Sequence, residues 1–261
     1  MPAVDCHAHV FSRDAKAIAG ARYRPAYAAT LEAWQGHWAT AALTHGVLVQ
    51  PSFFGTDNGE MLRALALDRE RLRGVALVDP SFDGGALARL DEGGVRALRF
   101  NLYGLGAAVA TRFESEWREL LGRCARMGWH LEVFTDPGVA PAVARALEPI
   151  AIDVVFDHFA APDPARIAST YEALASLARS RTVCCKLSAP YRLGGADPVA
   201  CARWALDAIG RRNIVWGSDW PFTRHEERQT YGRARGDLES WCGPRVDDIL
   251  WDNAARLYRF A

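Results

Sequence analysis

The stretch "VDCHAHVF", residues 4–11, combines an apolar strand pattern with two histidines one residue apart. Alternate side chains of a β-strand point to the same face. The spacing therefore predicts that Asp5, His7 and His9 share one face. The opposite face would carry the apolar residues Val4, Cys6, Ala8 and Val10. Such a histidine pair can hold a metal ion or act without one, and this stretch by itself allows both.

Seven further β-rich runs follow, most of them continuously apolar, as is typical of parallel strands covered on both faces. The eight candidate strands span residues 4–11, 46–52, 74–79, 95–102, 129–136, 152–159, 182–188 and 213–220. Helical spacing of apolar residues characterises the segments between them. Eight strand-then-helix units predict an α/β chain that forms a single-domain (β/α)8 barrel, or TIM barrel, over residues 1–261. The alternative is a doubly wound open sheet, which ordinarily has fewer strands.

Composition excludes several classes of partner. The chain has 261 residues, half of them apolar, and its 31 basic side chains equal its 31 acidic ones. A neutral chain has no overall field that attracts nucleic acid or an acidic membrane surface. No apolar run approaches the roughly 20 residues that span a bilayer, and the pattern of a signal peptide is absent. We therefore expect a soluble, cytoplasmic protein that binds a small molecule. The sequence does not indicate its oligomeric state.

Polar residues collect at the carboxyl ends of the candidate strands, where the catalytic groups of such barrels lie. Each of them alone has an ordinary explanation, such as a hydrogen-bonded core histidine or a helix cap. Their shared location favours an active site. The set comprises His7, His9, Gln50, Ser52, Arg99, Asn101, Asp157, His158, Lys186, Ser188, Tyr191, Arg192, Ser218 and Asp219.

Two arginines in this set predict that the ligand is negatively charged. A guanidinium group matches a carboxylate with two parallel hydrogen bonds, so we expect Arg99 and Arg192 to bind a substrate carboxylate. Further candidates for substrate contact are Ser52, Asn101, Tyr103 and Lys186. A phosphate-binding glycine loop and a serine nucleophile elbow are both absent, so nucleotide binding and serine-hydrolase chemistry find no support.

Four motifs, spread over the whole chain, resemble the amidohydrolase-2 branch of the amidohydrolase superfamily. They are "VDCHAHVF" (4–11), "FDHFAAP" (156–162), "GSDWPF" (217–222) and "ILWDNAARLYRF" (249–260). Within that branch, three further stretches are similar to pyrone-dicarboxylate lactonases and their sugar-lactonase relatives. These are "VLVQPSFFGTDN" (47–58), "ALRFNLYG" (97–104) and "CCKLSAPYRL" (184–193).

The resemblance implies a hydrolase that opens a carboxylated or sugar lactone by attack of water. Asp219 would be the general base. Three histidines, His7, His9 and His158, would donate hydrogen bonds to the carbonyl oxygen as it gains negative charge. The pyrone-dicarboxylate lactonases carry a further arginine just past the fourth-strand motif, whereas this chain has none before Arg112. That departure favours a lactone with one carboxylate, or a neutral sugar lactone.

The resemblance also bears on a metal. Metal-dependent amidohydrolases take ligands from the fourth and fifth strands, but here the fourth offers Arg99 and Asn101, and the fifth ends without a histidine. We therefore expect a metal-independent enzyme with no cofactor. If one Zn²⁺ binds instead, His7, His9 and Asp219 would hold it. Two alternatives remain at this point: a metal-dependent decarboxylase of an aromatic or related acid on the same barrel, and a carboxylate-binding relative without catalysis.

Overall fold

The computed structural model describes the whole chain, Met1–Ala261, and its centre is one sheet of eight parallel strands in chain order. The strands are β1 (Val4–Ala8), β2 (His45–Val49), β3 (Leu72–Ala76), β4 (Val95–Asn101), β5 (His130–Phe134), β6 (Val154–Phe156), β7 (Val183–Leu187) and β8 (Ile214–Trp216). All eight predicted strands are present. Their carboxyl ends come earlier than predicted, because the polar residues that follow them turn into loops.

The sheet closes into a barrel between β1 and the chain that follows β8. Ala8 forms a parallel bridge with Trp220. The amide of His9 donates to the carbonyl of Trp220 at 2.9 Å, and the amide of Asp219 donates to the carbonyl of His7 at 2.9 Å. The predicted TIM barrel is thereby confirmed. Closure occurs through backbone bonds of the predicted site residues themselves.

Ten helices accompany the strands and bury the apolar outer face of the sheet. They are α1 (Leu31–Gln35), α2 (Trp38–Ala41), α3 (Gly59–Leu67), α4 (Gly84–Glu92), α5 (Arg118–Arg126), α6 (Ala140–Leu147), α7 (Ile167–Leu177), α8 (Pro198–Ile209), α9 (Tyr231–Cys242) and α10 (Asn253–Tyr258). α10 closes the amino-terminal end of the barrel, where Ala254 and Tyr258 pack with Val4 and Cys6. None of the helices combines the length and apolar composition that a membrane span requires.

The first strand contains a β-bulge, which corrects the predicted distribution of its side chains. Asp5 pairs with Gly46 and Ala8 pairs with Leu48, so β1 has one residue more than β2 over this interval. A bulge of this kind re-aims the side chains on either side of it. Val4 and Cys6 face the barrel interior with Val47, and the bulge turns His7 and His9 inward as well.

Asp5 consequently does not share a face with the histidines, and that prediction was wrong. Its Oδ1 accepts from the amide of Ser218 at 2.8 Å, and its Oδ2 accepts from Ser218 Oγ at 2.6 Å. The same Oδ2 accepts from Trp34 Nε1 at 3.0 Å and from the Tyr231 hydroxyl at 2.7 Å. The Asp5 carboxylate therefore fastens β1 to the helical layer and to the loop after β8.

A glycine permits β1 and β8 to approach each other at the site. A Cβ atom on Gly217 would lie 2.5 Å from His7 Cβ and 2.8 Å from the His7 amide nitrogen. These are atoms next to or in the backbone, which cannot rotate away as the end of a flexible side chain can.

We expect Gly217→Ala to destabilise the fold by about 1–3 kcal/mol, the usual cost of overpacking, because His7 would have to move. The measurement is denaturant unfolding, with Gly236→Ala as the matched control. Gly236 lies exposed in α9 with no atom near its would-be Cβ, so alanine there should stabilise the helix by up to about 1 kcal/mol. Equal stability of the two variants would contradict the close approach.

Candidate active site

Three imidazole rings surround one carboxylate oxygen at the carboxyl end of the barrel. Asp219 Oδ1 lies 3.6 Å from His7 Nε2, 3.7 Å from His9 Nε2 and 3.8 Å from His158 Nε2. All four side chains are buried. The structure thus brings together the four predicted catalytic residues from β1, β6 and β8.

Asp219 is held so that one oxygen is engaged and the other faces the rings. Its Oδ2 accepts from the Tyr191 hydroxyl at 2.7 Å and from Arg192 Nε at 3.0 Å. Burial alone would raise the pKa of Asp219, but the Arg192 guanidinium and the nearby histidines hold that pKa well below its usual value. Asp219 is therefore ionised, with Oδ1 available for a proton.

His9 is fixed as a neutral ring of known tautomer. Its Nδ1 lies 2.7 Å from the carbonyl oxygen of Val49. Because a carbonyl only accepts, Nδ1 carries the proton. Burial lowers the pKa of His9 to about 4, and the charge of Arg99 contributes to the same shift. The Nε2 atom that faces Asp219 is consequently an acceptor.

His158 is also neutral. Burial lowers the pKa of His158 well below its usual value, although Asp219 opposes the shift. Its Nδ1 contacts Ser188 Oγ at 2.8 Å, and the edge of the ring packs against Phe134 at a centroid distance of 4.7 Å. Since a hydroxyl can donate or accept, either tautomer of His158 is compatible with this contact.

His7 contacts a buried cluster of charged side chains. Its Nδ1 lies 3.2 Å from Lys186 Nζ and 3.4 Å from Asp157 Oδ1. Lys186 in turn contacts Glu132 Oε2 at 2.6 Å and Asp157 Oδ1 at 2.9 Å. Below them the Tyr258 hydroxyl donates to Glu132. Sequence reasoning missed Glu132, which lies in the middle of an apolar strand.

A cavity of about 500 Å³ opens above the rings. Five of the six predicted substrate-contact residues line it: Ser52, Arg99, Asn101, Tyr103 and Arg192. The sixth, Lys186, does not line the cavity, because it is fully buried in the cluster beneath His7. The expectation that it contacts substrate therefore does not fit its position.

Two further arginines in the cavity wall were missed. Arg22 belongs to the long segment between β1 and α1, and Arg224 follows β8. Arg22 Nη2 donates to Asn101 Oδ1 at 3.2 Å, and its guanidinium lies 4.9 Å from the centre of the Tyr103 ring. The length of this segment between β1 and α1 was the only available signal, since the contact of Arg22 with β4 depends on the tertiary fold.

The donor set also fits a divalent cation. His7, His9 and Asp219 each offer one ligand atom within 4.8 Å of the others. Ligands of a tetrahedral zinc ion lie about 3.3 Å apart at the usual bond lengths, close to the spacing of Nε2 and Oδ1 here. Coordination requires that both Nε2 atoms lack a proton. His9 meets that condition, and for His7 it depends on what Nδ1 contacts.

We predict that His9 stays neutral at acidic pH, with the proton on Nδ1. Long-range ¹H–¹⁵N NMR of histidine-labelled protein would show this, with the His9 signals assigned by their loss in His9→Asn. Because the folded pKa of about 4 lies below the reference value of 6.5, His9 contributes stability that is fully present above about pH 6.5. That contribution declines as the pH falls below 6.5, because the unfolded chain takes up the proton first, and it is lost once the pH has fallen through 4. Titration of His9 near 6.5 would contradict the burial argument; the partly exposed His37 ring serves as the internal comparison.

Comparison with known proteins finds relatives that match nearly the whole chain. A family model described as amidohydrolase matches residues 4–260. The chain is 28% identical to a 2-pyrone-4,6-dicarboxylate hydrolase of Comamonas testosteroni, over 98% of this chain and 90% of the relative. It is 26% identical to a 4-sulfomuconolactone hydrolase of Rhizobium radiobacter, over 97% of this chain and 89% of the relative.

A solved structure is similar throughout its length. The crystal structure of a probable 2-pyrone-4,6-dicarboxylic acid hydrolase from Acinetobacter baumannii, with citric acid bound, superimposes with a TM-score of 0.88. The two chains are 33% identical and each is covered completely. The match of the family model over nearly the whole chain, together with this likeness, shows that the protein belongs to the amidohydrolase family.

Proposed function

We propose that this protein is a lactone hydrolase, which cleaves the ring ester of an anionic lactone. The observation that carries the proposal is the Asp219 carboxylate, whose free oxygen lies 3.6–3.8 Å from three imidazole nitrogens below a cavity lined by arginines. The activities of the two curated relatives, both hydrolases and neither a decarboxylase, support the same reaction.

In the proposed reaction, Asp219 Oδ1 takes a proton from water, and the water oxygen attacks the lactone carbonyl carbon. The bond from that carbon to the ring oxygen then breaks, and Asp219 returns the proton to the leaving oxygen. The carbonyl oxygen gains negative charge during the attack and needs hydrogen-bond donors. Donors and acceptors among the three histidines therefore have different tasks.

The role proposed here for His9 differs from that of a donor to the carbonyl oxygen, which the resemblance implied. Its Nδ1 donates to the Val49 carbonyl, so the neutral ring presents an acceptor at Nε2. It is suited to accept a hydrogen bond from the attacking water and so to orient it, whereas a donor to the carbonyl oxygen must come from His7 or His158.

Arg192 links substrate binding to the strength of the base. In the structure its Nε contacts Asp219 Oδ2, and Nη2 contacts the carbonyl of Thr223 at 3.3 Å. A substrate carboxylate beside Arg192 offsets the positive charge that lowers the pKa of Asp219. Asp219 then becomes a stronger base when an anionic substrate is in place.

The cavity wall favours a ligand with more than one negative charge. It carries four arginines, Arg22, Arg99, Arg192 and Arg224, against the single carboxylate of Asp219. Arg22 supplies a cation close to Asn101 at the end of β4, near the place where the sequence lacks the arginine of the lactonase relatives. The expectation of a singly charged or neutral lactone is therefore replaced by a proposal of a dicarboxylated one.

We also propose that the reaction needs no resident metal. Three cations, Lys186, Arg99 and Arg192, surround the rings and oppose a further positive charge. If a divalent ion does bind, His7, His9 and Asp219 would hold it, and it would supply polarisation of the carbonyl group.

A lactone panel tests the proposed activity. Pyrone dicarboxylate, a muconolactone and an aldonolactone would be incubated with the same protein sample on which metal content is measured. We expect hydrolysis of a carboxylated member, little bound metal, and no loss of rate after chelation. Asp219→Asn should lower kcat by about 10²- to 10⁴-fold, as loss of a general base does.

The control for this substitution is Asp248→Asn, which removes a carboxylate paired with Arg211 outside the cavity and should leave kcat unchanged. A sample that hydrolyses no lactone and carries one metal per chain would overturn the proposal. So would full activity of Asp219→Asn.

Arg22 decides the charge of the preferred substrate. We expect Arg22→Met to raise KM for a dicarboxylated lactone by about 10- to 100-fold, the value of one hydrogen bond to a charged group, with a smaller effect on kcat. KM for a neutral aldonolactone should change little. Arg13→Met is the control, since Arg13 is exposed in the same segment and lies outside the cavity wall. Equal effects on charged and neutral substrates would exclude this role.

A further inference from the structure

We propose that Lys186 is a positioning residue that fixes the tautomer of His7. In this assignment Nδ1 of His7 accepts a hydrogen bond from Lys186, and Nε2 carries the ring proton toward the reaction centre. The same proton prevents Nε2 from binding a metal.

The contacts of Lys186 Nζ leave His7 one role at Nδ1. The ammonium group is fully buried, and it donates to Glu132 Oε2 at 2.6 Å and to His7 Nδ1 at 3.2 Å, with Asp157 Oδ1 2.9 Å away. Burial would lower the pKa of Lys186, but Asp157 and Glu132 raise it above its usual value. A charged ammonium group has three donors and no acceptor. The hydrogen bond between Lys186 and His7 therefore requires that Nδ1 is the acceptor.

Asp157 is the competing partner for the same nitrogen. Its Oδ1 lies 3.4 Å from His7 Nδ1, which is longer than the Lys186 contact, and neither Asp157 oxygen meets hydrogen-bond geometry. If Asp157 accepted a proton from Nδ1, Nε2 would be free to bind a metal. The shorter distance favours Lys186 as the partner of Nδ1. The proposal depends on the outcome of this competition.

On the opposite side of the His7 ring, Nε2 is positioned to donate a hydrogen bond to a ligand. Nε2 is buried and has no hydrogen-bond partner, and it lies 3.6 Å from Asp219 Oδ1. An unpartnered buried donor is costly unless a ligand satisfies it. His9 has the opposite tautomer because Val49 accepts from its Nδ1. The site thus pairs one donor ring with one acceptor ring.

The donor role of His7 toward a carbonyl oxygen rests on the proposed lactone hydrolysis. The tautomer and its effect on metal binding do not. A protein with the assigned tautomer that hydrolyses no lactone would overturn the proposed function alone.

The decisive measurement uses the unaltered protein. Long-range ¹H–¹⁵N NMR at neutral pH, with the signals assigned through His7→Gln and His9→Asn, should show the proton of His7 on Nε2 and that of His9 on Nδ1. A His7 ring with its proton on Nδ1 would overturn the proposal. This result does not depend on whether any variant at position 186 folds.

Zinc affinity provides a second readout, independent of activity. We expect Lys186→Met to bind Zn²⁺ about 10- to 100-fold more tightly than the unaltered protein, the range seen when a partner of a ligating histidine changes. Equilibrium dialysis with metal analysis measures it, and circular dichroism verifies the fold. Arg99→Met is the matched control, because it removes a nearby positive charge without touching His7 Nδ1. No gain for a folded Lys186→Met, or an equal gain for Arg99→Met, would show that the tautomer does not govern metal binding.

Discussion

One extra residue in β1 determines how the active site is assembled. The bulge between Asp5 and Ala8 sends the Asp5 carboxylate outward, where it accepts four hydrogen bonds from Ser218, Trp34 and Tyr231. The same bulge turns His7 and His9 inward. Since Ser218 immediately precedes Asp219, the Asp5 contacts also hold this proposed general base against the histidines. Without the bulge, Asp5 and the two rings would share one face, and the rings would point outward with the carboxylate.

Charge balance explains why so many ionised groups can lie inside this barrel. An isolated buried charge is costly, and breaking a buried pair by removing one member typically costs about 3–5 kcal/mol. Three buried or half-buried cations, Lys186, Arg99 and Arg192, match three buried carboxylates, Glu132, Asp157 and Asp219. The cations beyond this balance, Arg22 and Arg224, lie on loops in the cavity wall, where a negatively charged substrate can reach them.

The sequence was sufficient for the eight strands, for Asp219 and for the three histidines around its Oδ1, because strand periodicity and the position of polar residues at strand ends are local signals. It was insufficient for the bulge, since the register of a strand depends on its neighbour. Glu132 was missed because one carboxylate within an apolar strand gives no sign of the lysine two strands away. Arg22 was missed because a long connection can place its side chains in many ways.

The same four side chains would suit two kinds of chemistry, and the difference lies in what each ring contacts on its far side. A carbonyl at Nδ1 of His9 leaves a lone pair at Nε2, as a metal ligand or a partner for water requires. A buried ammonium at Nδ1 of His7 places a proton at Nε2, as stabilisation of an oxyanion requires. Amino-acid types and ligand spacing cannot separate these cases, because both tautomers of histidine have the same shape. A histidine cluster whose distances fit zinc therefore becomes a hydrogen-bonding site when a cation contacts Nδ1 of one of its rings.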